Sequence, residues 1–311
     1  MSRRRRAKGR PIDGWLALCK EPGRSSFQAV SAARAITGAA KAGHGGTLDP
    51  FSEGVLPVAF GSATKTLSMV LEGDKRYRCW VRFGVETDSG DLTGEVISQG
   101  GEPPEREMLE ALLPKFVGEI EQIPPAHSAI RVDGERAYKR VRRGEVVEMP
   151  SRQVTIHSLD LVEMADGLAV IDVACGKGSY MRALARDMGT ALGCGAHLER
   201  LSRTETLGFQ LDQTVTLEAL RRAVEEDRLA EVLLPVDYLL SDWPAFTMSP
   251  DTWLDVQNGR AVWIRMEEAK QGRVRLLTPE GAFAAIGELG GSKMDLLGRV
   301  QCRPKRLFIT A

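Results

Sequence analysis

The sequence is short of several things, and each shortage removes a class of protein. No stretch of its 311 residues approaches the roughly 18 uninterrupted apolar residues of a membrane helix, so no membrane association is expected. The five cysteines stand apart at 19, 79, 175, 194 and 302 without a Cys-x-x-Cys pair. That spacing argues against zinc ribbons and a disulfide framework and fits a reducing cytoplasm. Only four histidines occur, at 44, 127, 157 and 197, and no His-x-x-x-His spacing links them, so no metal is expected. The arginine-rich start lacks the apolar stretch of a secretory signal, and export is not expected. Neither Gly61-Ser62-Ala63-Thr64-Lys65 nor Gly176-Lys177-Gly178-Ser179 completes a phosphate-binding loop. Nucleotide hydrolysis drops out. Ser62-Ala63-Thr64-Lys65 fits Ser-x-x-Lys without its companion motifs, and His44-Gly45-Gly46 has no Gly-x-Ser-x-Gly elbow to serve.

Net charge is also missing, since 42 basic residues cancel 42 acidic ones, but the charges are unevenly placed. Arg3, Arg4, Arg5, Arg6, Lys8 and Arg10 crowd the start without an acid. Six more bases, Arg131, Arg136, Lys139, Arg140, Arg142 and Arg143, face only Asp133 and Glu135 between 131 and 143. A run of this kind is ordinarily a solvated face; two of them in a balanced chain point to a local nucleic-acid footprint.

What is present reads as a soluble chain of about two domains, with 43% hydrophobic and 27% charged residues. Period-2 and period-3.6 patterns mix throughout, which predicts an α+β fold, sheet with helices attached. Ser25 or Ser26 can cap a helix carrying Phe27, Val30, Ala33 and Ile36 that stops at Gly38. Strands are expected at 55–60, near an edge or bulge because of Pro57, and at 76–85, 153–162, 168–175 and 199–210. In 76–85 the alternation places Tyr77, Cys79, Val81, Phe83 and Val85 on a core face, and Arg76, Arg78, Trp80 and Arg82 on a cationic one. Helices are expected at 104–116, 179–192 and 216–230, with a hairpin turn at Asp133-Gly134. Ser241, Asp242, Trp243 and Pro244 read as a linker to a small barrel-like module of short strands. The expected organisation is a basic leader over 1–10, a main domain over 11–240 and a small domain over 241–311.

The run Gly43-His44-Gly45-Gly46-Thr47-Leu48-Asp49-Pro50 is a glycine-dense loop that could serve a site. Its glycines let the backbone bend sharply, and the proline biases Asp49 toward an extended conformation, displaying a carboxylate where the loop meets a strand. An aspartate before proline is also an ordinary turn former, and a loop histidine such as His44 often only satisfies local hydrogen bonds.

With Gly54-Val55-Leu56-Pro57, this run resembles the signature of the TruB family of tRNA pseudouridine synthases. Further matches follow in order: Lys75-Arg76-Tyr77-Arg78, Thr87 to Gly94, Ser128-Ala129-Ile130 with Gly134 and Tyr138, Gly176 to Arg182, and Leu192 to Leu198. The resemblance runs from about Trp15 to Phe209. It implies a mainly antiparallel catalytic domain of pseudouridine synthase type, and isomerisation of uridine 55 in the T-loop of tRNA without a cofactor. The base is cut from C1′ at N1, turned over and rejoined through C5. Asp49 is implied as the essential carboxylate, and a carboxylate beside a breaking glycosidic bond can stabilise or trap the sugar cation. Whether it attacks C1′ or removes the 2′ proton stays open.

The resemblance further implies that Tyr77 stacks on the extruded base, although by its strand position it reads as a core aromatic. Arg182, on periodicity an exposed helix arginine, would pair with Asp49 and keep it ionised, and Asp91 would hold Arg182. Leu201 would line the uracil pocket; His44, Tyr180 and Lys20 would complete its surroundings. The segment 130–150, with Arg140, Arg142 and Arg143, corresponds to an insertion that closes over the RNA. The small domain looks like a PUA domain, through Asn258-Gly259-Arg260 and Gly281 to Glu288. The implied partner is the T-arm of tRNA, bound by a monomer with no guide RNA and no membrane. The competing reading is an RNA-binding or RNA-folding protein that keeps the pocket without turnover.

Overall fold

A computed structural model of the chain describes residues 9–70, 73–128, 130–132, 134–141, 143–265, 272–295 and 297–308. The strands of the larger part are β1 (Gly14–Lys20), β2 (Ala42–His44), β3 (Glu53–Phe60), β4 (Lys75–Phe83), β5 (Val85–Thr87), β6 (Val96–Gln99), β7 (Gly118–Gln122), β8 (Arg131–Val132), β9 (Glu135–Arg136), β10 (Arg152–Ala165), β11 (Leu168–Cys175), β12 (Ala196–Thr206) and β13 (Phe209–Gln210). Its helices are α1 (Ser26–Thr37), α2 (Leu67–Val70), α3 (Arg106–Leu112), α4 (Ala137–Val141), α5 (Met181–Ala191), α6 (Leu217–Glu225) and α7 (Leu229–Val232). No helix among the described residues is long and apolar enough to cross a membrane.

One sheet runs in the order β1-β3-β12-β4-β11-β10-β7, with β2 added to β3 and β13 to β12. Every pairing in it is antiparallel except β3 with β12. β3 meets β12 at a point where Gly54 has φ +103°, and a Cβ there would stand 2.3 Å from the Arg203 carbonyl oxygen. Only glycine fits so close an approach. Pro57 faces Ala17 on β1, and its carbonyl accepts from the Gly45 amide at the end of the short strand β2, so the proline sits where one neighbour of β3 gives way rather than on a bare edge.

The helices follow the expected signals with adjusted ends. Ser25 caps α1 in a reciprocal capping box with Gln28, and Gly38 closes it at φ +69°. Pro114 converts the end of the predicted 104–116 helix into a 3₁₀ turn, and Asp227 at φ +57° divides 216–230 into α6 and α7. The predicted strand 199–210 is a hairpin: Leu207 and Gly208 both take positive φ and turn β12 back into β13. Val85 leaves β4 at Gly84 and opens a separate hairpin with β6.

The outer face of β4 corrects the expectation of a cationic surface. Arg76 pairs with Glu205 at 3.3 Å, Arg78 with Asp172 at 2.7 Å and Arg82 with Glu199 at 2.8 Å, while Arg200 covers Trp80 at 4.4 Å from the ring centre. Cross-strand partners on β11 and β12 supply the acids, which a reading of β4 alone does not include.

Beyond residue 241 lie α8 (Pro250–Gln257) and the strands β14 (Ala245–Thr247), β15 (Val262–Ile264), β16 (Gly272–Leu277), β17 (Phe283–Met294) and β18 (Val300–Leu307). They form a second sheet, β14-β16-β17-β18-β15, around its own apolar cluster that includes Val256, Val274, Leu276 and Cys302. The stretch before it is no loose linker. Arg275 pairs with Asp237 at 3.0 Å and donates to the carbonyls of Ser241 and Trp243 at 2.9 and 3.1 Å. Leu240, Ile286 and Phe308 join across the boundary, and Lys65 Nζ donates to the Leu307 carbonyl at 2.6 Å.

Candidate active site

The loop between β2 and β3 is held from three sides by buried polar side chains. Ser26, in the first turn of α1, accepts from the Leu48 amide at 2.8 Å and donates to the Leu48 carbonyl at 3.0 Å. Lys20, at the end of β1, donates to the carbonyls of Pro50 and Ser52 at 3.2 and 2.5 Å, as well as to Glu21 at 3.1 Å. Arg203, on β12, donates to the Val55, Gly46 and Thr47 carbonyls at 2.8, 3.2 and 3.4 Å. A glycine-rich loop loses much backbone freedom on ordering, and these contacts between fixed elements hold it in one shape.

Asp49 stands on this loop with 35% of its side chain open to solvent, against an Arg182 that is 4% exposed. The Arg182 Nε lies 2.9 Å from Asp49 Oδ2. That nitrogen nevertheless has no aligned hydrogen-bond acceptor, so the contact is an ion pair seen off-axis. The rest of the guanidinium is fixed: Nη1 donates to the Ser89 carbonyl and Nη2 to the His127 carbonyl, each at 2.9 Å, and Asp91 Oδ2 lies 3.4 Å from Nη1. Asp91, buried to 4%, accepts from the Ser89 hydroxyl and the Thr93 amide at 3.0 Å each.

Arg182 occupies the first turn of α5, where a cation opposes the helix dipole. Two carboxylates offset that cost. The helix start is itself anchored by Gln122, which accepts from the Tyr180 amide at 2.8 Å and donates to its carbonyl at 3.1 Å. Helical periodicity alone exposes Arg182; tertiary packing buries it.

Arg182 acts on Asp49 in the expected direction, favouring the ionised carboxylate, but burial outweighs it. Burial pushes the Asp49 carboxyl above the ordinary range; Arg182 and Lys20 pull it down, Asp91 pushes it up again, and the net direction is upward. Lys20 is pushed down to about 8, chiefly by burial, with Asp49 opposing and Arg203 adding to the shift. His44, half-buried at the end of β2, is lowered by burial and by Arg203, and its Nδ1 has no hydrogen-bond partner.

Tyr77 lies opposite Arg203 across β4 and β12, and Cys79 opposite Leu201, so these four side chains share one sheet face. Tyr77 belongs to the main core at 8% exposure, Leu201 at 5%. Burial pushes the Tyr77 phenol up to about 12, against the pull of Arg203. Tyr180 is raised by burial and feels Arg152, Asp49 and Arg182; the Arg152 guanidinium stands 5.8 Å from its ring centre. The structure thus gathers Asp49, Arg182, Asp91, Lys20 and Tyr180 around one loop, with Tyr77, Leu201 and His44 bordering it through Arg203.

Arg140 and Arg143 lie in the 130–150 segment, in and just after α4. Both pair with Glu145 at 2.8 Å, and Arg143 grips Glu135 with two bonds of 2.7 Å. Arg142 falls outside the described residues. Two residues that order the site, Arg203 and Gln122, are missed by sequence reasoning. The signal for Arg203 is its place two residues after Leu201, which puts a cation on the inward face of a strand.

A mixed fold built on a largely antiparallel sheet is one that solved structures share. The chain superposes on the crystal structure of a Cbf5-Nop10-Gar1 complex with a TM-score of 0.71 at 23% identity, over 95% of this chain and 85% of that one. An H/ACA RNP bound to a substrate RNA containing 2′-deoxyuridine gives 0.72 at 22% identity, over 98% and 90% of the two chains. These likenesses establish the fold.

Sequence comparison goes further. Residues 34–181 match the TruB family pseudouridylate synthase N-terminal domain, and residues 182–241 match the tRNA pseudouridylate synthase B C-terminal domain. The chain is 43% identical to tRNA pseudouridine synthase B of Nitrobacter winogradskyi, over 96% of this chain and 83% of that protein. With the protein of the same name in Rhizobium meliloti it shares 42% over the full length of both, and with that of Pseudomonas aeruginosa 43% over 90% and 93%. The chain belongs to the TruB family of pseudouridylate synthases.

Proposed function

We propose that this protein isomerises a uridine of tRNA to pseudouridine, and that the uridine is position 55 in the T-loop. The carrying observation is the buried guanidinium of Arg182 set between Asp49 at 2.9 Å and Asp91 at 3.4 Å. Asp49 is the reacting carboxylate. When the C1′–N1 bond breaks, its electron pair leaves with the uracil and the sugar becomes electron-poor, which an anionic oxygen stabilises either by bonding C1′ or by removing the 2′ proton. After the base turns, C5 bonds C1′ as the carboxylate is released from C1′ or the 2′ proton is returned, the C5 proton is lost and N1 gains one. No redox carrier or nucleotide is consumed.

Arg182 aims the carboxylate, and Asp91 restrains Arg182. Tyr77 and Leu201 hold the extruded base, in the way that base-flipping enzymes cradle a target they must remove from its stack. His44 and Tyr180 line the approach, and the buried Lys20 braces the Asp49 loop. Arg140, Arg142 and Arg143 contact the RNA backbone, and the module beyond residue 241 is a PUA-type RNA-binding domain, a reading supported by its separate core and five-stranded sheet. The division is a leader over 1–10, a catalytic domain over 11–240 and the small domain from 241 on. The protein acts as a monomer in the cytoplasm, without a guide RNA.

Incubation with an unmodified tRNA transcript, followed by pseudouridine mapping, tests the proposal. A single pseudouridine in the T-loop is expected. Tight binding with no product would establish a pocket that only binds.

A further inference from the structure

Arg203 is fully buried, and no carboxylate among the described residues pairs with it. A cation withdrawn from water without a counter-charge is costly, and a chain that keeps one has a use for it. It donates instead to backbone carbonyls: Val55 on β3 at 2.8 Å, Gly46 at 3.2 Å and Thr47 at 3.4 Å. The last two lie three and two residues before Asp49. Arg203 is also the cross-strand neighbour of Tyr77, and its guanidinium stabilises the charged form of that phenol.

The two groups proposed to act on the nucleotide ride on different elements, Asp49 on a loop and Tyr77 on β4. Arg203 reaches both. A planar fork aims its donors in directions fixed by the guanidinium plane, whereas the donors of an ammonium rotate freely. We infer that Arg203 is a positioning residue for the reaction, fixing through Gly46 and Thr47 where the Asp49 carboxylate stands relative to the Tyr77 ring. This inference rests on the proposed synthase activity. It does not place Arg203 against the substrate.

The test uses the full chain carrying Arg203→Met or Arg203→Lys, with unmodified tRNA transcript as substrate. A displacement of 1 Å at a reacting group can cost about 100-fold, so Arg203→Met should lose about that much in the single-turnover rate at saturating enzyme. Its tRNA affinity should stay within about threefold, because phosphate contacts elsewhere dominate binding. Arg203→Lys should recover about tenfold of the loss, keeping the charge but not the full fork. Hydrogen exchange should quicken in peptides covering 43–50 in both variants and stay unchanged in the rest of the main sheet.

A saturating rate within about threefold of wild type per binding-competent molecule would overturn the inference, as would exchange that rises uniformly with loss of global stability. If Arg203→Met fails to fold, Arg203→Lys decides by the same two measurements. Wild-type protein that makes no pseudouridine would instead overturn the synthase reading, and the exchange comparison would still show whether Arg203 fixes the loop.

Discussion

Arg182 Nε stands 2.9 Å from Asp49 Oδ2 without directing its hydrogen at that oxygen. The two terminal nitrogens are committed to the Ser89 and His127 carbonyls, so the guanidinium cannot turn to improve the contact. The arginine is a fixed charge beside a carboxylate that stays partly open to solvent. Asp49→Asn removes the carboxylate's charge while leaving the loop contacts in place. Single-turnover pseudouridine formation should vanish, and tRNA affinity measured by filter binding should stay within about tenfold, since the carboxylate mainly serves the reaction. A much larger affinity loss would make Asp49 a structural residue.

Asp91 is one of the charges that shift the Asp49 carboxyl. Burial raises the Asp49 carboxyl, Arg182 lowers it and Asp91 raises it; Lys20 is the remaining charged neighbour and lowers it. Asp91→Asn deletes a raising influence, so the Asp49 pKa falls and the acid limb of the rate profile moves to lower pH. The maximal rate should drop at the same time, by about tenfold, because Arg182 loses a restraint. An acid limb that stays in place, or moves upward, would show that the limb reports another group.

Much of this site is legible in the sequence because its parts are local. Glycines around His44, a proline after Asp49 and the alternation of β4 all leave marks within a few residues, and α1 and β11 fall where their patterns put them. What escapes is long-range. Arg182 looks exposed until a loop more than a hundred residues earlier packs over α5, and Arg203 is invisible because its partners include carbonyl oxygens, which no side-chain pattern encodes. The face of β4 misreads as cationic for the same reason: its acids come from β11 and β12.

Lys20 predicts a stability signature. Its folded pKa of about 8 lies below the ordinary 10.5, so between those values the unfolded chain binds a proton that the native protein does not. Native stability therefore rises with pH across that window, by about 1.4 kcal/mol per unit and about 3 kcal/mol in all. Thiols and tyrosines titrate there too, and comparison with Lys20→Met cancels them. Urea denaturation of both proteins at pH 7.5, 8.5 and 9.5 should show the wild type gaining steadily on the variant. A constant difference would mean that the amine keeps an ordinary pKa in the fold.

The basic segment predicts a signature in salt rather than pH. The exposed Arg143–Glu135 pair is worth little and the half-buried Arg140–Glu145 pair only somewhat more, so RNA phosphates can displace the carboxylates at small cost. Replacing Arg140, Arg142 and Arg143 by Gln should weaken tRNA binding and reduce the slope of log affinity against log salt by about 0.7 to 0.9 for each phosphate that is no longer neutralised. Glu145→Gln should act in the opposite direction, strengthening binding a few-fold at low salt, because Glu145 accepts from both Arg140 and Arg143 and competes with phosphate for them. The paired result matters more than either half. A weaker arginine variant with an unchanged salt slope would trace the loss to a misfolded segment, whereas opposite shifts from arginine and glutamate variants require the guanidinium groups themselves to meet the RNA.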